Sequence, residues 1–174
     1  VDLALANPDG RVLVEHLDLV VERGERLLIN GDSGVASSLF KAVAGLWPWG
    51  NGRVRLPSGG EMMFLPQRPF LPDGSLQAAL SYPHSSDHYS IEQLQHALRC
   101  AGLEWLQGRL ADSEHWDYSM PLRTLQRLAI ARLILQRPAW VFIEEATDAF
   151  DSQGENCLIA VLLRELLNST LISI

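Results

Sequence analysis

A chain of 174 residues is long enough to bury a substantial core and fits one domain with room for an inserted subdomain. Its formal charge of −7 argues against a nucleic-acid partner, and its apolar runs, such as CLIAVLL around Cys157, are far shorter than the roughly 20 residues that span a bilayer. Cys100 and Cys157 stand far apart without a second ligand cluster, so neither a disulfide framework nor a zinc site is expected, and a reducing compartment is.

Taken in chain order, Val1 reads as a strand already under way, with no secretory signal before it, so the chain is expected to start inside a larger protein. Alternation marks VDLALAN, RVLVEHLDLVVE and RLLIN as short strands, separated by turns at Pro8-Asp9-Gly10 and Glu22-Arg23-Gly24-Glu25, which predicts an antiparallel β layer. The run Leu27 to Asn30 ends at Gly31 and gives way to helical spacing of Leu39, Val43 and Leu46, the order of a buried strand feeding an α/β unit. EMMFLPQ is a further strand closed by Pro66, followed by turns at Pro69 and Pro72.

Ile91, Leu94, Leu98 and Ala101 then recur at helical spacing, with Ser90 and Gln93 as a capping box and Gly102 as the stop. Pro121, placed at a first helical position, opens a second helix through Leu125, Leu128, Ala129, Arg132 and Leu135. Ala139 to Ile143 is a continuous apolar run ending in Glu144 and Glu145; a helix over 153–167 and the short run LISI follow. The sum is α/β, with Leu27 to Asn30, Met62 to Leu65, Trp140 to Ile143 and Leu171 to Ile174 in one mainly parallel sheet and helices gathered in the middle of the chain.

The chemistry concentrates at INGDSGVASSLF. A phosphate-binding loop needs glycines so that successive N–H groups point at phosphate oxygens, a lysine for the β- and γ-phosphates, and a serine or threonine hydroxyl on Mg²⁺. Gly31, Ser33 and Gly34 fit that pattern within the candidate segment Gly31, Asp32, Ser33, Gly34, Val35, Ala36, Ser37, Ser38. Read forward from Gly31, Ala36 takes the last glycine's place, Ser37 the lysine's and Ser38 the metal ligand's. Read backward from LFKAVAGLWPWG, which matches a longer block and is preferred, Ser37 is the metal ligand and Ala36 alone stands for a glycine and a lysine. Either way the loop lacks its lysine, and Lys41, the one lysine in the chain, lies a helical turn further on. A buried strand ending in two carboxylates places one to hold a magnesium's water shell and the next to polarise an attacking water. His16, His84, His88, His96 and His115 match no ligand spacing and are expected to be solvated or satisfied locally.

Four stretches in one order, GDSGVASS, FLPQRPFLPDGSL, MPLRTLQRLAIARLIL and WVFIEEATDAFD, resemble the ATP-binding domain of ABC transporters over nearly the whole chain. NPDGRVLVEHL, SSLFKAVAGLWPWG and FLPQRPFLPDGSL are most similar to the subgroup holding the bacterial BacA-type uptake proteins and the peroxisomal acyl-CoA transporters. The resemblance implies a P-loop NTPase of the ABC type: a single domain over 1–174, with an ATP-binding core from 1–67 and 126–174 and an inserted helical subdomain, 68–125, that carries a signature-like segment. It implies ATP and Mg²⁺ as cofactors, an N-terminal or separate transmembrane permease as partner, and a location on the cytoplasmic face of a membrane, the bacterial inner membrane foremost. It further implies a second nucleotide-binding domain, so that each ATP is held between the P-loop of one copy and the signature helix of the other.

Residue by residue, the resemblance implies that Gln67 approaches Mg²⁺ and that the loop after it meets the permease. Glu145 matches the catalytic glutamate, Glu144 stands where the family has a metal-side aspartate, and Asp151 matches the D-loop aspartate. Glutamate's extra methylene suits Mg²⁺'s strict octahedral geometry poorly. In the signature-like run Pro121, Leu122, Arg123, Thr124, the proline replaces a serine hydroxyl and Arg123 a glycine, which removes donors that would clasp a partner's γ-phosphate. The family's switch histidine would follow Ile174. These losses predict weak Mg-ATP binding and leave open a second reading, a catalytically inactive module that supports a competent partner.

Overall fold

The computed structural model describes residues 2–58, 61–144 and 160–174. The chain divides into two units, one formed by Val1–Phe64, Pro138–Glu145 and Asn168–Ile174, the other by Leu65–Arg137 and Ala146–Leu167.

The first unit opens with β1 (Leu3–Ala6) and β2 (Val12–Leu17), joined through the Pro8-Asp9-Gly10 turn. That turn is closed by Asn7 N–H donating to Arg11 O at 2.8 Å, and Gly10 takes φ 87°, a conformation that favours glycine. β1 pairs antiparallel with β2 and with β4 (Gly50–Asn51), giving the order β2-β1-β4. Gly50, at φ 152°, lets β4 approach so closely that a Cβ there would collide with the carbonyl oxygen of Ala4. β2 stops at Leu17, short of the run of apolar residues to Val21, and Val20 is 79% exposed.

The second sheet has the order β3-β9-β8-β5, formed by β3 (Arg26–Leu28), β5 (Met62–Leu65), β8 (Trp140–Ile143) and β9 (Thr170–Ser173). β9 is parallel to both β3 and β8, so all three run the same way. These are the four runs the sequence points to, with β3 ending at Leu28 instead of Asn30; beyond it, Ile29 N–H still donates to Ser173 O at 2.8 Å. Helix α1 (Ser33–Val43) covers this sheet through Ala36, Leu39 and Phe40, which share a core with Leu5, Phe142, Ile172 and Ile174. Phe64 stacks on Phe142 at 4.7 Å and meets Phe40 edge-on at 5.7 Å.

The second unit is mostly helical. A two-residue pair, β6 (Gly74–Ser75) with β7 (Ser113–Glu114), is followed on its first arm by α2 (Leu76–Ser81), capped by the Ser75 hydroxyl. α3 (Ile91–Cys100) begins with the expected capping box of Ser90 and Gln93, and Gly102, at φ 69°, follows its end. After a 3₁₀ turn (Glu104–Arg109) and α4 (Trp116–Ser119), whose fully buried Trp116 donates to Gly74 O at 2.8 Å, comes α5 (Leu122–Gln136). Pro121 is the N-cap of α5 and not its first helical residue, because its ψ of 149° is extended. Residues 160–165 are helical, inside the predicted helix over 153–167. Among the described residues no helix is long and apolar enough to cross a membrane.

Candidate functional site

Because β3 and β8 both run parallel to β9, their carboxyl ends lie at one edge of the sheet. Leu28 and Ile143 are both level with Ser173, so Asn30-Gly31 and Glu144 leave that edge from the same height, two strand spacings or about 10 Å apart. Open parallel sheets place their ligands outside the carboxyl ends of the strands. Glu144 is 9% exposed there. Glu145 and Asp151 lie outside the described residues.

The candidate phosphate segment forms a short entry and then helix. Gly31 is a bend, Asp32 is the N-cap, and Ser33 already begins α1, so Gly34, Val35, Ala36, Ser37 and Ser38 are all helical. The Asp32 carboxylate accepts from Gly34 N–H at 3.0 Å. A carboxylate there satisfies a donor and complements the helix dipole, but it also sits on the group a phosphate would use. Ala36 is 7% exposed within the core, so a side chain at this position points away from the solvent edge. Ser38 is buried and its hydroxyl donates to Gly34 O at 2.8 Å, a helical back-bond that ties up the oxygen the forward reading gives to the metal. Ser37, the metal ligand of the backward reading, is partly exposed in the second turn. Lys41 lies with its Nζ 5.9 Å above the Trp47 ring, and Trp47 Nε1 donates to Ala6 O at 3.0 Å. As arranged, this segment does not fit a triphosphate: α1 is closed by its own acidic cap, and no cation from the segment faces the edge.

In the second unit, α5 holds the segment after Gln67 by its carbonyls. Gln126 Nε2 donates to Gln67 O at 2.8 Å, Arg132 donates to Phe70 O at 2.8 Å and to Tyr82 O at 3.2 Å, and Gln136 donates to Tyr82 O at 2.6 Å. Burial pushes the Arg132 guanidinium pKa down. Gln126 Oε1 is buried without a hydrogen-bond partner among the described residues. Neighbours on this segment differ sharply: Phe70 is 62% exposed and Leu71 1%, its N–H donating to the Asp117 carboxylate at 2.9 Å. At the start of α5, Pro121 makes no side-chain cap; Leu122 and Arg123 are exposed and Thr124 N–H turns back to Pro121 O at 2.8 Å. Arg132 stood in the sequence only as one position of a helical stripe. The signal for its role was a cation at an otherwise apolar spacing, which is buried only when carbonyls await it.

A cavity of about 510 Å³ in the first unit is apolar, with Leu17, Val21, Val43, Trp140 and Ile172 among its walls, and none of the residues from Gly31 to Ser38 lines it.

No family model matches the chain. Over 174 residues, 99% of the chain, it is 37% identical to an uncharacterized ABC transporter ATP-binding protein of Haemophilus influenzae, covering 29% of that protein. It is 30% identical over 176 residues, 99% of the chain, to the inner membrane ABC transporter ATP-binding protein YddA of Escherichia coli, covering 30% of it. Against ABC transporter D family member 1 of Arabidopsis thaliana the identity is 36% over 167 residues, 88% of the chain and 12% of that protein. The chain thus spans less than a third of each of these relatives. A glycine bend and helix beside a buried acidic strand end, on one edge of a parallel sheet, recur here with similarity that runs almost from end to end, and the chain belongs to the ABC transporter ATP-binding proteins.

Proposed function

We propose that this chain is the nucleotide-binding domain of an ABC transporter, working on the cytoplasmic face of a membrane with a permease and a second nucleotide-binding domain. The observation that carries the reading is the shared sheet edge, where Gly31 and Glu144 follow two parallel strands, β3 and β8, that flank β9 and end at one level. On this reading Gly31 to Ser38 meet the phosphates of ATP, and Ser37, Gln67 and Glu144 serve Mg²⁺. Glu145 is the catalytic carboxylate, Asp151 belongs to the D-loop, and Pro121 to Thr124 face the partner's nucleotide. The helices of the second unit, 68–125 above all, form the inserted subdomain.

The same reading requires weak binding. Phosphate has to displace the Asp32 carboxylate and unwind the first turn of α1 before backbone N–H groups become available. The absent lysine removes a charge-assisted hydrogen bond, about 1.5–3 kcal/mol, or roughly ten- to a hundredfold in affinity. Replacing Ala36 by Gly-Lys gives GDSGVGKS and length for a full loop ahead of the helix. Calorimetric titration with Mg-ATP and a phosphate-release assay on both chains test this. The altered chain is expected to bind at least tenfold more tightly, and the given chain to hydrolyse at or near background. Low-micromolar binding with turnover by the given chain would overturn the reading.

On this reading the permease contact involves Phe70, whose exposure supports it. In the full-length protein, Phe70→Asp is expected to abolish coupling while the domain stays folded. Unchanged transport counts against that contact. Leu71, fully buried, is unsuited to the same test.

A further inference from the structure

His96 and Cys100 stand four positions apart on α3, so their side chains leave the same face one turn from each other. Glu165, from the helical residues 160–165, lies against them in the same unit. His96 Nε2 is 3.5 Å from Cys100 Sγ and 3.7 Å from Glu165 Oε2, and the three ligand atoms all lie within 4.8 Å of one another. Zinc binds nitrogen and oxygen at about 2.0–2.1 Å and sulfur at about 2.3 Å, and a tetrahedral arrangement therefore sets ligand atoms about 3.3–3.6 Å apart. Two of the three separations are already within a few tenths of an ångström of that spacing. The geometry points to a three-ligand site for a divalent transition metal, zinc foremost, built from His96, Cys100 and Glu165 with a fourth position left to water. Imidazole and thiolate favour zinc or cobalt over the hard cations calcium and magnesium, which take oxygen ligands.

Without a metal, the Glu165 carboxylate is shared. His96 approaches it from α3, Arg137 Nη2 donates to it at 3.2 Å and Arg164 Nε at 3.2 Å, while Arg164 Nη2 also lies 4.0 Å from Cys100 Sγ. The arginine side chains are 62% and 68% exposed and can turn into water at little cost, whereas that of Glu165 is 11% exposed and stays in place. Burial raises the Cys100 thiol pKa, the Glu165 charge raises it further, and Arg164 and Arg99 oppose them. Zinc takes the thiolate, so metal binding displaces the Cys100 proton. Occupation ties α3 to residues 160–165. The histidines and cysteines looked scattered in the sequence because the third ligand is far along the chain; the His-x-x-x-Cys spacing within one helix was the available signal.

The test uses the full chain, reduced and stripped of metal with chelator, in the absence of nucleotide, so its outcome is separate from that of the ATP titration. Zinc chloride is expected to bind one-to-one at about 1 µM or tighter and to raise Tm by at least about 5 °C when in hundredfold excess over Kd. Cobalt is expected to give the visible bands of a tetrahedral ion and a near-ultraviolet thiolate charge-transfer band, which Cys100→Ser removes. His96→Ala is expected to weaken zinc by more than tenfold. A measurement that needs no variant is alkylation with iodoacetamide read by peptide mass: zinc is expected to slow modification of Cys100 at least tenfold. Failure to bind zinc, binding unchanged in both variants, or Cys100 alkylated equally fast with and without zinc would each overturn the site.

Discussion

Helix α1 begins under a carboxylate and helix α5 begins under a proline. At α1 the Asp32 side chain takes a backbone donor of the first turn, an internal anion where an external phosphate is expected. At α5 Pro121 offers no side-chain cap to those donors, and Arg123 adds a cation in the first turn, where the helix dipole disfavours it. The two helices can begin so differently because they are held differently. α5 is buried from Leu125 to Ile134 except at Arg127 and is fastened by Gln126, Arg132 and Gln136, so packing keeps it helical whatever its start. α1 meets its core through one stripe, and its cap matters more. A helix secured along its length can leave its first turn open to a ligand; one secured at its start cannot without loss.

The sharpest way to break this comparison is to put the missing charge back in the wrong manner. Ala36→Lys, unlike the replacement by Gly-Lys, places an ammonium in the core beside Phe142 and Ile172. A buried charge without a partner is expected to cost roughly 3–5 kcal/mol, with no gain in ATP affinity. Denaturant unfolding and ATP titration of the two variants side by side check it. If Ala36→Lys restored ATP binding at undiminished stability, the start of α1 would be a loop and not a capped helix.

Next in size is the tie that secures α5. Arg132→Met keeps much of the side-chain volume but strips a donor from Phe70 O, while Tyr82 O retains Gln136. The expected loss is about 1–3 kcal/mol, with faster hydrogen exchange around Phe70 and Tyr82 and little change at α1. An unchanged unfolding midpoint would mean that packing alone fastens this segment.

The periodic parts of this architecture were legible from the residues. β5, β8 and the capping box of α3 lie where alternation, apolar runs and Ser90/Gln93 put them. β3 ends early as an edge strand, paired on one side only among the described residues, with its Leu28 64% exposed. What the residue pattern could not convey is what happens when a phosphate loop is too short. The glycines of GDSGVASS read as loop, but with Ala36 on the core stripe at helical spacing from Phe40, the segment gains more by joining the helix than by remaining outside it. Carbonyl ties by Gln126 and Arg132 were invisible for another reason: their acceptors are backbone atoms, which have no sequence signature.

A smaller change probes the cap itself. Asp32→Ala is expected to cost about 1 kcal/mol through loss of the bond to Gly34 N–H. It should also tighten inorganic pyrophosphate or Mg-ATP by about two- to fivefold, since a like charge leaves the helix start. Opposite signs in the two measurements are the mark of a cap that competes with the ligand. Weaker binding in the variant would instead make Asp32 part of the site, acting through the metal.

The smallest expected effect lies at the other helix. Pro121→Ser supplies the side-chain acceptor that α5 lacks, within reach of the N–H groups of Arg123 and Thr124, and such a cap contributes about 0.5–1 kcal/mol. Removing a proline also frees the unfolded chain, which costs about 0.4–1 kcal/mol in the opposite direction. The two effects nearly cancel, so the unfolding midpoint is expected to stay within about 0.5 kcal/mol of its present value. Local protection is expected to rise all the same, because the unfolded-state entropy does not enter fraying of the first turn in the same way. Hydrogen exchange at Arg123 and Thr124 reads that difference directly. Slower exchange at an unchanged midpoint would establish that the start of α5 is open and secured from elsewhere. A loss of more than about 1 kcal/mol would show that the proline itself positions the helix, and the contrast with α1 would then be one of two anchored starts.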